Sequence, residues 1–494
     1  MSLKIRKILR IFISITIFLF ILHNANMVLE RKDSNNKYAL FFEQVKNGLS
    51  FDILFFGTSH MINAVFPMEL WDNYGYVSYN FGGHANRIAT TYWVMQNAFD
   101  YTIPKLVVID CSGISDNRKV YENEEYVHLS LDAFPFSMTK VKAVSDLIKT
   151  ENQLSYLWNF VTYHNRWNDL NRKDFDVDCS YEKGAESMLN VATPGYMEYV
   201  NCDEKRGKNT VSSEYLQKII KDCQQQNIDV LLTYLPFPAT KGWKEEANYV
   251  QDIALQYNVQ YINFFDLDVV NFNTDCYDSN SHLNQSGGYK ITEYIGQYIK
   301  NNYDIEDHRN DMSYNHWNDD YQIYRKIKNA TFRQLQNLDQ YLLALADPKI
   351  STCFYIKPGS SILYDQGMQE LIRNISPKSN IMHLNAAANS GTGYFCIIDK
   401  QKNALVETMD SLEKLNTNTF VGNVFTSTDE EGKPYIIIKE NPIPLYDPQK
   451  GIYSDITILV FDNETENILD IAAFNVEPDL IPTNALRNNM FVLP

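Results

Sequence analysis

Residues 51–67 read FDILFFGTSHMINAVFP, and this stretch decides the fold. Five of the six positions 51–56 are apolar, the pattern of a buried strand, and Gly57 follows where the chain must turn tightly. Thr58, Ser59 and His60 then open a stretch that predicts a helix. Open α/β sheets place reactive groups in the crevice outside the carboxyl ends of their strands, and Ser59 is expected there. A serine in that place also suits a helix cap, accepting from the first N–H groups. On this segment alone, capping explains Ser59 at least as well as chemistry does.

Outward from it the pattern alternates. Residues 76–81 (YVSYNF) and 106–110 (LVVID) read as strands with a helix over 86–99 between them. After residue 111 the rhythm lapses for about a hundred residues. It resumes with a helix over 213–226, a strand over 228–235, a helix over 242–257, a strand over 259–264 and a last helix over about 288–301. Strands alternating with helices imply right-handed crossovers and a parallel sheet, a flavodoxin-like three-layer α/β fold. Residues 112–210 are then an insertion or lid, and long excursions of this kind are usually functional.

Residues 275–288, DCYDSNSHLNQSGG, place His282 four positions after Asp278 on one expected loop. An alcohol is a poor nucleophile until a base takes its proton, and the imidazole that does so needs a carboxylate to hold its tautomer. Ser59, His282 and Asp278 supply those parts, with Asp275 an alternative carboxylate.

The GTSH turn after the first strand and the D…HLN…G loop near residue 282 together resemble the SGNH (GDSL-like) hydrolase superfamily over roughly residues 51–300. More narrowly they resemble its membrane-tethered acyltransferase branch, which includes D-alanine transfer proteins of teichoic acid synthesis and alginate O-acetyltransferases. The resemblance implies Ser59 as nucleophile, His282 as base and Asp278 as its partner. It also implies an acyl group received from a membrane-embedded donor protein and an acceptor that is a cell-surface glycan or teichoic-acid-like polymer. Two departures stand out: the superfamily spaces its acid and base as D-x-x-H, one residue shorter than here, and its G-x-N-D block is replaced by Asp110-Cys111-Ser112.

An ester's oxyanion needs N–H donors, and Ser59 N–H and the turn Gly82-Gly83 in YNFGGHAN are the candidates. Asn165 is a guess for the missing asparagine. Arg166, in the run Tyr163-His164-Asn165-Arg166-Trp167, suits an anionic group of a donor or acceptor, and equally suits a helix end whose rings pack inward. His60 and His84 read as pocket-wall donors rather than metal ligands, since neither has a Cys or carboxylate at ligand spacing. No metal or cofactor is expected.

At 494 residues the chain is too long for one ordinary domain. A net charge of −17 without any basic stripe argues against nucleic acid. The seven cysteines, Cys111, Cys179, Cys202, Cys223, Cys276, Cys353 and Cys396, form no C-x-x-C pair and read as small buried hydrophobes. Lys4, Arg6, Lys7 and Arg10 precede the uncharged run 11–22, with Ile8, Leu9 and residues 27–29 available to lengthen it. This predicts an uncleaved single-pass N-terminal anchor over residues 1–30 in the cell membrane, with the bulk of the chain extracytoplasmic; a cleaved signal peptide is the competing reading. The expected domains are therefore the anchor 1–30, an SGNH-like α/β domain 31–303 with its insertion, and a segment 304–348 made of a polar linker (304–319) and a helix over 321–346. An α+β accessory domain over 349–494 follows. In that last part 353–356 and 436–438 read as strands and 456–461 with 468–474 as a hairpin. It resembles the interleukin-like domain of some secreted and glycan-associated proteins, which suggests glycan or protein binding, or a spacer.

Two functions from different classes fit these residues. One is a serine-dependent O-acyl, most simply O-acetyl, transferase acting on a polysaccharide or wall polymer, or an esterase if the acceptor is water. The other is a non-catalytic glycan-binding module.

Overall fold

The computed structural model describes residues 3–29, 41–42, 44–46, 48–132, 134–175, 181–192, 201–279, 282–376, 380–409, 416–419, 422–428, 430, 434–438, 441–444, 446–447, 452–476 and 485–487. Cys179 lies outside them. The chain forms two compact units. Met1–Glu186, Glu198–Leu267 and Ile295–Asn315 make the first, and Ser187–Met197, Asp268–Tyr294 and His316–Pro494 the second.

The first unit is built on five parallel strands: β1 (Ile53–Gly57), β2 (Ser78–Gly82), β3 (Leu106–Asp110), β4 (Asp229–Tyr234) and β5 (Gln260–Asn263). They are ordered β2-β1-β3-β4-β5, the order of one doubly wound class. Every residue of β1 and β3 is buried, as their unbroken apolar runs require. Register sets Gly57 beside Gly82 and Asp110 beside Thr233, so the ends of neighbouring strands finish level. The direction of winding reverses between β1 and β3, and ligands of open α/β sheets bind at that reversal. The helices Ile88–Phe99, Val211–Gln225 and Lys241–Tyr257 stand where the apolar periodicity put them, within two residues at each end. Part of the expected polar linker belongs to this unit: His308 is buried, with Nε2 2.7 Å from Asp52 Oδ2.

The second unit holds a six-stranded sheet ordered Leu486–Arg487, Ile468–Asn475, Ile456–Asp462, Ile350–Ile356, Tyr394–Asp399 and Ala404–Thr408, with antiparallel neighbours. The expected hairpin is its central feature. Phe354, Tyr394, Ile458 and Phe474 are buried with Leu338, Leu342, Leu371 and Ile372 from the helices packed on it. One helix was expected over 321–346, but two form, Asn315–Thr331 and Leu338–Ala344. The chain between them turns at 332–334 and then pairs elsewhere: Leu338 N–H donates to Ala485 O (3.1 Å) and Arg487 N–H to Gln336 O (2.8 Å). Long-range backbone pairing overrides helical periodicity there.

The expected membrane anchor is corrected. A helix does run from Leu3 to Leu29, but among the described residues no helix is long and apolar enough to cross a membrane. The mainly apolar run 11–22, interrupted by Ser14 and Thr16, spans roughly 18 Å at about 1.5 Å per residue, against a hydrocarbon core of about 30 Å. Arg10 on one side and His23, Asn24 and Asn26 on the other separate it from the residues that were to extend it. The cell-membrane localisation and the outward orientation that rested on the anchor fall with it.

Candidate functional site

The GTSH turn closes β1 against β3. A Cβ on Gly57 would lie 2.7 Å from Asp110 Cβ, so only glycine lets the two strand ends approach this closely. The helix that follows, Ser59–Ala64, is capped by Thr58. Thr58 Oγ1 accepts from His60 N–H at 3.2 Å and donates to Asp110 Oδ2 at 3.1 Å. The capping explanation for Ser59 is thereby removed, because the neighbouring hydroxyl does that work.

Asn80, fully buried in β2, fixes this helix in place. Its Nδ2 donates to Met61 O and Val65 O, both at 2.8 Å, and its Oδ1 accepts from Gly82 N–H at 2.9 Å. Replacing Asn80 with Ala takes this partner from Val65 O and Gly82 N–H, while Met61 O keeps the Val65 N–H (3.3 Å); the expected cost is about 2–4 kcal/mol of stability, read as a lowered urea midpoint.

The residues after β1, β3 and β4 converge on Asp110. Ser112 Oγ stands 2.8 Å from each of its carboxylate oxygens, and Leu235 N–H donates to Oδ1 at 3.3 Å. His60 Nδ1 is 3.2 Å from Ser112 Oγ, and the His60 ring stacks on Phe237 with centroids 4.5 Å apart. Burial pushes the Asp110 carboxyl up to about 6, against hydrogen bonds from Ser112, Leu235 and Thr58 that favour the ionised form.

That shift has a stability consequence. The folded state holds the Asp110 proton more tightly than an unfolded carboxyl of ordinary value near 3.8. Its contribution is therefore fully present below about pH 4 and is lost as pH rises through 6, a swing of about 3 kcal/mol. Asp110→Asn should flatten the stability profile between pH 4 and 6, measured by denaturation at each pH.

The glycine turn does not present its N–H groups outward. Gly82 N–H donates to Asn80 Oδ1 and Gly83 N–H to Gly57 O (3.1 Å). The two glycines instead allow close packing, since a Cβ on Gly82 would lie 2.8 Å from Ile62 and one on Gly83 2.0 Å from Asn86 Nδ2. His84 is half-buried, its Nε2 3.8 Å from Glu186 Oε1. Asn165 is exposed on a short turn. Arg166 is engaged within the first unit, donating to Asp174 Oδ1 and Leu29 O, both at 2.7 Å, and so acts there as a clasp.

Within the second unit, His282 Nδ1 lies 2.5 Å from Asp278 Oδ2, and His282 N–H donates to Asp278 Oδ1 at 3.2 Å. On either side of the pair, Cys276 and Leu283 bridge antiparallel, and Tyr277 N–H donates to His282 O at 2.8 Å. Asp275 has other partners. It is fully buried and takes Lys290 Nζ at 2.6 Å, Asn271 N–H at 2.8 Å and Asn374 Nδ2 at 3.1 Å. Of the two carboxylates left open by the sequence, Asp278 is the one on the imidazole. Ser59 belongs to the first unit and the Asp278–His282 pair to the second.

Sequence reasoning missed the Asp110–Ser112–His60 chain and the role of Asn80. A faint signal existed for both: each places a polar residue in or at the end of a fully buried strand, where burial requires a partner.

No protein-family model matches the chain, and no curated protein gives a significant match.

Proposed function

We propose that this chain is a serine-dependent O-acyl esterase or transferase with an SGNH-type α/β fold, acting through an acyl-Ser59 intermediate. Ser59 Oγ attacks the ester carbonyl and passes its proton to His282 Nε2. Asp278 stabilises the imidazolium, which then protonates the departing alkoxide. A second hydroxyl, from water or from a polysaccharide or teichoic-acid-like polymer, takes the acyl group from Ser59.

The observation that carries this reading is the 2.5 Å contact between His282 Nδ1 and Asp278 Oδ2. A carboxylate only accepts, so it holds the ring proton on Nδ1 and leaves Nε2 as the basic nitrogen. Removal of Ser59 from the capping role supports it.

Labelling of the full chain with a fluorophosphonate probe tests this. Covalent modification that disappears in both Ser59→Ala and His282→Ala is the expected result. A folded wild-type protein that never labels overturns it. The commitment of both Gly82 and Gly83 N–H groups favours a second reading, a non-catalytic glycan-binding module, and absence of labelling with retained glycan binding would establish that instead.

A further inference from the structure

The first unit contains a carboxylate, a hydroxyl and an imidazole in hydrogen-bonded series, Asp110–Ser112–His60, and its imidazole belongs to the residue that follows Ser59. The direction of the bonds is fixed by proton count. An ionised carboxylate only accepts, so the single Ser112 hydroxyl proton goes to Asp110, which stands 2.8 Å away through both oxygens. Ser112 Oγ then has only lone pairs to offer His60, and the proton between them must be on His60 Nδ1. The neutral ring therefore carries its basic lone pair on Nε2.

The surroundings hold the arrangement. Asp110 is fixed by Thr58 Oγ1 and Leu235 N–H, and the ring lies on Phe237. The series joins the ends of β1 and β3, the place where the sheet reverses its winding. Simple core packing does not require a buried carboxylate to reach an imidazole through a serine.

We propose that His60 is a second base of the reaction, its tautomer set by Ser112 and Asp110, which takes the proton of the hydroxyl that attacks acyl-Ser59. This rests on the acyl-serine reading above and divides its two halves between two imidazoles. In the second half the acceptor O–H bond breaks as its oxygen bonds to the acyl carbon. The proton moves to His60 Nε2, the acyl C–Oγ bond of Ser59 breaks, and the same proton passes to Ser59 Oγ. No other reactant is needed.

The test has two independent parts. Nitrogen-15 NMR of the full chain, with the His60 resonance assigned from His60→Gln, should show the proton on Nδ1. Ser112→Ala should shift it to Nε2, and Ser112→Thr, which keeps the hydroxyl, should restore it. A wild-type ring protonated on Nε2 overturns the proposal whatever the activity. During turnover of an activated acetyl ester, followed by intact-protein mass spectrometry, the acetyl adduct on Ser59 should persist about 10²-fold longer in His60→Gln than in the wild type. Ser112→Ala should give a smaller increase in the same direction. Equal adduct lifetimes in wild type and His60→Gln would overturn the second-base role while leaving acyl-serine chemistry intact; a wild type that forms no adduct would defeat that chemistry itself.

Discussion

Ser59→Ala is expected to lower kcat/KM for an activated acetyl ester by a factor on the order of 10⁴ or more while leaving stability within about 0.5 kcal/mol of the wild type. The two halves of this expectation depend on different atoms. Loss of the hydroxyl removes the group that forms the covalent intermediate, and no neighbouring base can replace it. Stability is spared because the helix cap is Thr58, with Oγ1 bonded to both His60 N–H and Asp110 Oδ2. Thr58→Ala should behave the opposite way, destabilising by about 1 kcal/mol through the lost cap. Ester kinetics paired with urea midpoints for the two variants check this. Turnover of Ser59→Ala within tenfold of the wild type would remove Ser59 from the chemistry.

The fold was legible where burial is complete and local. The runs ILFF and LVVI have no polar residue to place, so they read as strands and are strands, and the helices between them carry an apolar stripe of helical period. It was less legible where distant parts of the chain compete for a segment. The break between Thr331 and Leu338 depends on pairing with residues 485–487, about 150 positions away, and no window of the sequence contains both. The N-terminal segment misled for a different reason. Its apolar residues form a helix as expected, but its polar residues shorten the apolar stretch below what a bilayer requires.

The site divides in the same manner. Ser59 and the Asp278–His282 spacing stand out because a nucleophile and a base with its acid are recognisable residue types on expected loops. Asp110 was passed over as a strand end, since sequence cannot tell an exposed terminal acid from one buried under Thr58, Ser112 and Leu235. Arg166 was read as a possible anion holder for the converse reason. Its charge is visible in the sequence, but the Asp174 carboxylate and Leu29 carbonyl that occupy it are not.

The roles of Asp278 and Asp275 predict opposite outcomes from one chemical change. Asp278→Asn keeps the side-chain shape but turns an obligate acceptor into a group that can also donate to His282 Nδ1. The ring then settles in the wrong tautomer, with its proton on Nε2, and cannot take one from Ser59. The expected loss in kcat is about 10⁴-fold, the scale measured when a triad carboxylate is made an amide, with little change in stability. Asp275→Asn, three residues earlier, leaves the imidazole's partner in place but removes the buried carboxylate that pairs with the half-buried Lys290 and disturbs the bonds from Asn271 and Asn374. Breaking such a pair costs about 3–5 kcal/mol, so this variant should unfold at distinctly lower urea while its remaining folded fraction turns over ester at near the wild-type rate. Activity per folded molecule separates the two: a large loss in Asp275→Asn with full activity in Asp278→Asn would exchange their roles and break the link between His282 and the chemistry of Ser59.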